Sequence, residues 1–127
     1  MYSSATVSLY DPTQMLLEFM SDVRGLVNAI ILGVKLEGLL VNYVNENYSL
    51  DGIPVASIVV HAGDIAFYVL AKPFIEVSDI DSAAMGAEKI AGEDGVEVLP
   101  VVAGYIFSEE AEKYARSIDM EVVKLGA

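Results

Sequence analysis

Residues 96–103 read Val-Glu-Val-Leu-Pro-Val-Val-Ala, a nearly continuous apolar run. Such a run suits a strand covered on both faces, the situation of a sheet flanked by helices. The residues that follow supply one such helix. Ser108 is placed as an N-cap, and Glu109, Glu110 and Glu112 fall in a first turn where negative charge is favoured. Glu121–Leu125 then reads as a last strand, so the end of the chain spells a β-α-β unit. Pro100 lies inside the apolar run and argues against a fully paired ladder at its centre.

Upstream, Asp11, Pro12 and Gln14 form a helix start with a cap, a first-turn proline and a capping-box position. Leu16, Leu17, Met20, Val23, Val27, Ile30, Ile31 and Val34 keep a 3.6-residue rhythm. It resumes with Leu36, Leu39, Leu40, Tyr43 and Val44, so two helices, or one bent at Gly33, are expected over residues 12–47. Asp51-Gly52 marks a turn. Three strands are expected next, at Val55–Val60, Asp64–Val69 and Phe74–Ser78, then a short helix from Asp81-Ser82 to about Gly92, weakened by Gly86. The whole is one α/β domain over residues 1–127: an N-terminal helix or helices, then a mixed central sheet with flanking helices, in the order α-β-β-β-α-β-α-β.

Composition narrows the chemistry. With 7 basic and 19 acidic side chains the net charge is −12, a field that repels nucleic-acid phosphates. Residues 1–50 carry 2 basic and 5 acidic groups (net −3) and residues 51–127 carry 5 and 14 (net −9), so an acidic site belongs in the second part. The absence of cysteine excludes a disulfide framework, a thiolate zinc site and a cysteine nucleophile. A single histidine, His61, excludes a two-histidine metal site. Met1–Leu9 lacks a secretory pattern, and the greasiest window, Leu26–Val44, is interrupted by Asn28, Lys35, Glu37 and Asn42. No membrane is expected, and the cytoplasm is the expected location.

One constellation suggests a reaction. If the second and third expected strands form a hairpin centred near Leu70, Asp64 and Glu76 pair on one face, and a helix packed across that face delivers Glu37. Three converging carboxylates repel one another unless a cation neutralises them. Such a cluster suits Mg²⁺ or Mn²⁺, able to polarise a phosphodiester and activate water. Spacing alone leaves open that the three are unconnected surface carboxylates.

The order of elements, with Glu37 in "GVKLEGLLVNYV", Asp64 in "AGDIAFYVLAK" and Glu76 in "PFIEVSDID", resembles the PD-(D/E)XK, or restriction-endonuclease-like, superfamily. The closing "VLPVVAGYIFSEEAEKYARSIDMEVVKLG" resembles the tail of its archaeal members, and the resemblance covers roughly residues 33–125. It implies a nuclease fold in which Glu37 matches the first-helix acid, Asp64 the metal-binding acid and Glu76 the acid of the E-x-K element. The family places a lysine two residues after that glutamate, on the same strand face, where it positions the attacking water. Ser78 stands there instead, and losing such a donor costs on the order of 10²–10³ in rate. Lys89, on the following expected helix, is the best substitute; Lys72 lies four residues before Glu76, and Lys35 sits beside Glu37 on the helix.

Other candidates have plainer readings. His61 beside Asp64 suits a structural histidine. Tyr2, Tyr10, Tyr43, Tyr48, Tyr68, Tyr105 and Tyr114 have no interleaved basic stripe and suit core or hinge positions. Glu88, Glu93, Asp94 and Glu97 lack calcium-loop spacing and suit a solvated face. The glycines form no phosphate-binding fingerprint, and no organic cofactor is expected.

Two functional readings follow from the resemblance. In the first, the nuclease fold is catalytically impaired and serves as an interaction or assembly module, a homodimer through the apolar helix of residues 12–32 joined to the nuclease-like core of residues 33–125. In the second, it is a Mg²⁺- or Mn²⁺-dependent nuclease of DNA or RNA, with Glu37, Asp64 and Glu76 as ligands and Lys89 substituting for the motif lysine. A dimer would then gather Lys113, Arg116 and Lys124 into a positive strip. A small α/β regulatory or ligand-binding domain outside the superfamily is a third.

Overall fold

The computed structural model describes residues 12–49 and 55–126. Expectations on Met1–Leu9, Asp11 and Asp51-Gly52 lie outside them. Helix α1 (Pro12–Leu36) runs unbroken through Gly25 and Gly33. It ends at Gly38, whose φ of +83° is a left-handed conformation that glycine adopts without strain. The Gly38 N–H donates to the Lys35 carbonyl at 3.0 Å and the Leu39 N–H to the Val34 carbonyl at 3.0 Å, so the last carbonyls of the helix are satisfied through the glycine turn. The helix expected to reach residue 47 therefore stops at Leu36, and Tyr43 and Val44 belong instead to strand β1 (Val41–Ser49).

β1 pairs antiparallel with β2 (Val55–Ala62), and β2 with β3 (Ile65–Ala71). The β2–β3 hairpin turns at Gly63-Asp64, with Ala62 paired to Ile65 and Gly63 at φ +66°. The hairpin expected around Leu70 is thus displaced to the other end of β3. The third expected strand shrinks to β4 (Phe74–Ile75), because Glu76 already caps helix α2 (Val77–Asp94). That helix closes on Gly95, at φ +67°. Strand β5 (Glu97–Gly104), the short β6 (Ile106–Phe107), helix α3 (Glu109–Ser117) and β7 (Glu121–Lys124) follow. The main sheet has five strands in the order β1-β2-β3-β5-β7, with β5 parallel to β3 and β7, while β4 and β6 form a small parallel pair. The α-β-β-β-α-β-α-β order is observed, with the added short β4 and β6; the expected strands at Val55–Val60 and Asp64–Val69 appear as β2 and β3, while β1 falls on residues expected to be helical.

The sheet separates two apolar cores. On one face Phe19, Val23 and Val27 of α1 meet Ile58, Val60, Val69 and Val101; on the other Ile80 and Ala83 of α2 and Ala111 and Ala115 of α3 meet Leu70 and Val102. The strict alternation Val101–Val102–Ala103 between faces follows from the period of a strand. Burying a valine- or leucine-sized side chain contributes about 1.5–3 kcal/mol, so these layers supply most of the drive to fold. β7 flanks β5 only over Val101–Gly104. Pro100 lies just before that stretch, where its missing N–H disturbs no ladder position with β7. Among the described residues no helix is long and apolar enough to cross a membrane.

Candidate functional site

The structure does not gather the expected carboxylates. Asp64 is exposed in the β2–β3 turn, where its carbonyl accepts the Glu97 N–H at 3.3 Å. Glu76 lies beyond the far end of β3, whose 7 residues at about 3.3 Å each separate the two by roughly 20 Å. Glu37 is exposed in the turn after α1, on the opposite side of the sheet from the α2 cap that Glu76 forms. Among the described residues no three His, Asp or Glu side chains are grouped to hold a metal ion.

The supporting residues move likewise. Ser78 sits in the first turn of α2, not on a strand beside Glu76, and its carbonyl accepts the Ser82 hydroxyl at 2.9 Å. Lys89 is exposed on the same helix, 13 positions from Glu76 and so about 20 Å along its axis. Lys35 is exposed on α1. Glu88, Glu93, Asp94 and Glu97 are all exposed, and Asp94 lies 3.5 Å from the His61 ring. Of the strip Lys113, Arg116 and Lys124, Lys113 pairs with Glu109 at 3.4 Å and Lys124 with Glu112 at 3.0 Å, which offsets their charge inside the chain.

What does converge is a polar cluster where β3 ends and α2 begins. The Lys72 ammonium lies 2.9 Å from the Asp79 carboxylate, which is 7% exposed. The other Asp79 oxygen accepts the Glu76 N–H at 2.9 Å, one half of a capping box. Lys72 itself is anchored by its N–H donating to the Ala103 carbonyl at 3.0 Å. In the neighbouring ladder Ser57 stands directly opposite Leu70, and the Ser57 hydroxyl bonds the Tyr68 hydroxyl at 2.9 Å. The Tyr68 ring occupies the space that a Cβ on Gly86 would need, at 2.5 Å, which explains a glycine inside α2. Asp79 is absent from the expected site residues. Its signal in the sequence is the pattern Glu76-x-x-Asp79 just ahead of the helical spacing Ile80, Ala83, Ala87.

Two tyrosines are locked by carboxylates. The Tyr105 hydroxyl donates to Asp22 at 2.6 Å, tying α1 to the end of β5. Burial, and then that hydrogen bond, push its pKa above the ordinary tyrosine value. Tyr114 donates to Asp81 at 2.6 Å across α3 and α2, and that bond raises its pKa as well.

No protein-family model and no curated protein matches the chain. Among solved structures it is similar to EndoMS in its apo form, with a TM-score of 0.53 over 71% of this chain. The fold is nuclease-like. Sequence identity is 13%, and the match covers 39% of the EndoMS chain, so the likeness concerns the shared α/β layers and their order.

Proposed function

We propose that this chain is a nuclease-like fold with an impaired catalytic site, serving as an interaction or assembly module. The observation that carries this reading is the Ser57–Leu70 pair. In the family pattern, one hairpin strand holds a metal-binding acid and the next holds E-x-K. In the observed hairpin the lysine available at that place is Lys72, two residues after Leu70 and following the last residue of β3. The position of the glutamate is then Leu70, buried in the α2-side core, and the residue facing it is Ser57. Hard divalent cations take carboxylate oxygens; an aliphatic side chain offers no ligand and a neutral hydroxyl only a weak one. Lys72, instead of pointing its charge at a water, neutralises Asp79. The net charge of −12 further disfavours a phosphate backbone as partner.

The test is incubation with single- and double-stranded DNA and RNA, with and without Mn²⁺, alongside Lys72→Ala and Glu76→Gln. The expected result is no cleavage above background in any sample and no rise in Tm as Mg²⁺ or Mn²⁺ is titrated. Metal-dependent cleavage lost in either variant would establish the nuclease reading. A cation-induced rise in Tm abolished by Glu37→Gln, Asp64→Asn or Glu76→Gln would do the same for the three-carboxylate site.

A further inference from the structure

Five strands about 4.8 Å apart span roughly 19 Å, whereas one helix covers about 10 Å. On the face that α1 occupies, this helix packs mainly against β1 and β2, and its N-terminal half reaches the end of β5 through Phe19 and Asp22 at Tyr105. Beside it, above β5 and β7, runs an open groove of about 550 Å³. Its floor is Phe67, Leu99, Val101 and Val123, and Leu26 and Ile30 of α1 form one wall. Leu99 is 42% exposed there, an apolar side chain in the middle of a sheet left half uncovered. Glu37, Asp119 and Glu121 also line the groove and give it an acidic rim.

The same chain carries a ridge of matching character. Much of the stripe that sequence periodicity offers for association is used by the chain's own sheet, since Val23, Val27 and Val34 are buried, although Leu17 stays 57% exposed. The outer side of α1 instead presents Leu32 at 58% and Leu36 at 80% exposure, and Leu40, past the Gly38 turn, is 75% exposed. Lys35, three positions from Leu32 and therefore its neighbour on the helix surface, flanks this ridge with positive charge. Added Cβ atoms on Gly25 or Gly33 would meet nothing within 4 Å, so no packing inside the chain explains glycines that each cost a helix about 1 kcal/mol.

We infer that a second copy of this chain fills the groove: the Leu32–Leu36 ridge of one copy docks against the β5–β7 face of the other. A leucine ridge with a basic flank fits an apolar floor with an acidic rim. Each copy bears both halves, so one two-fold axis closes both contacts and leaves none open for chain growth. The arrangement places the two α1 helices between two sheets and covers the exposed leucines of both. It does not rest on the loss of catalysis, since neither ridge nor groove includes the Lys72–Asp79 cluster.

The chain has no cysteine, so an introduced thiol is the only one present. Single variants Leu36→Cys and Leu99→Cys are mixed and treated with a short bis-maleimide, and mass in solution is measured for the unmodified chain and for Leu36→Glu. The expected outcome is a particle of twice 13.6 kDa for the unmodified chain. The mixed thiol variants should give a linked dimer several-fold more abundant than either variant alone. Leu36→Glu should be monomeric with an unchanged circular dichroism spectrum, its site being exposed. Lys35→Glu should weaken the dimer, and reversing one rim acid (Glu37→Lys, Asp119→Lys or Glu121→Lys) should restore it. A monomer throughout the micromolar range would overturn the inference and leave the groove to another partner. So would a dimer that links Leu36→Cys to itself and not to Leu99→Cys.

Discussion

The Lys72 ammonium lies 2.9 Å from Asp79, and the same nearly buried carboxylate holds the first N–H of the α2 cap. One side chain thus joins the end of β3 to the start of a helix on the other side of a short crossover. Removing it should cost more than either bond alone, because Lys72 would lose its counter-charge while half-buried. Asp79→Ala is expected to lower stability by about 2–4 kcal/mol, and Asp79→Asn by less because it keeps an acceptor for the Glu76 N–H. Denaturant midpoints at unchanged m-value report the difference.

Two glycines of α2 should respond in opposite directions to the same substitution. At Gly92 an added Cβ meets nothing within 4 Å, so Gly92→Ala is expected to stabilise by up to about 1 kcal/mol through helix propensity. At Gly86 the methyl would lie 2.5 Å from the Tyr68 ring, and overpacking of that kind costs about 1–3 kcal/mol. In a Tyr68→Leu background the Gly86→Ala penalty should shrink. A double-mutant cycle measured by thermal unfolding would show no such coupling if the two did not touch.

Alkaline stability should depend on Tyr105. Burial and the Asp22 hydrogen bond favour the protonated phenol, so the folded chain holds that proton to higher pH than the unfolded one. Below the ordinary tyrosine value near 10 both states are protonated and the contribution is complete. As pH rises above that value the unfolded state ionises first, and the contribution falls until the folded phenol ionises too. Tyr105→Phe should therefore flatten the decline in unfolding free energy above about pH 10, while costing about 1–2 kcal/mol at neutral pH. Ultraviolet titration should show one fewer late-ionising phenol in the variant.

The Ser108 hydroxyl accepts the Ala111 N–H at 3.1 Å and caps α3. Ser108→Ala is expected to cost about 1 kcal/mol. Ser108→Asp should recover part of it, tempered by Glu109, Glu110 and Glu112 already crowding the first turn. Chemical denaturation of the three proteins ranks them.

Much of the fold is legible where one local signal dominates. Ser108 and the glutamates after it locate α3, and the β-branched runs locate β2 and β5 to within two residues at either end. The misreadings have two physical sources. Leu39, Leu40, Tyr43 and Val44 happen to continue the helical spacing of α1, and periodicity alone does not register that Gly38 has closed the helix; that accident hides β1. The expected hairpin centres near Leu70, though Gly63-Asp64 supplies the positive-φ turn, and this displacement moves every cross-strand pair. The expected meeting of Asp64 with Glu76 goes with it. The cluster that does form is invisible to strand parity, since Asp79 reaches Lys72 only because β3 gives way to a helix within a few residues.

Pro100 has a consequence beyond its own strand. Ahead of Val101, β5 has β3 on one side and, among the described residues, no partner strand on the other. Half-edges of this kind are templates on which a stray strand from a neighbouring molecule nucleates fibrous stacking. A residue without an amide hydrogen, closing the short stretch that begins at the exposed Glu97, interrupts any such zipper before it can lengthen.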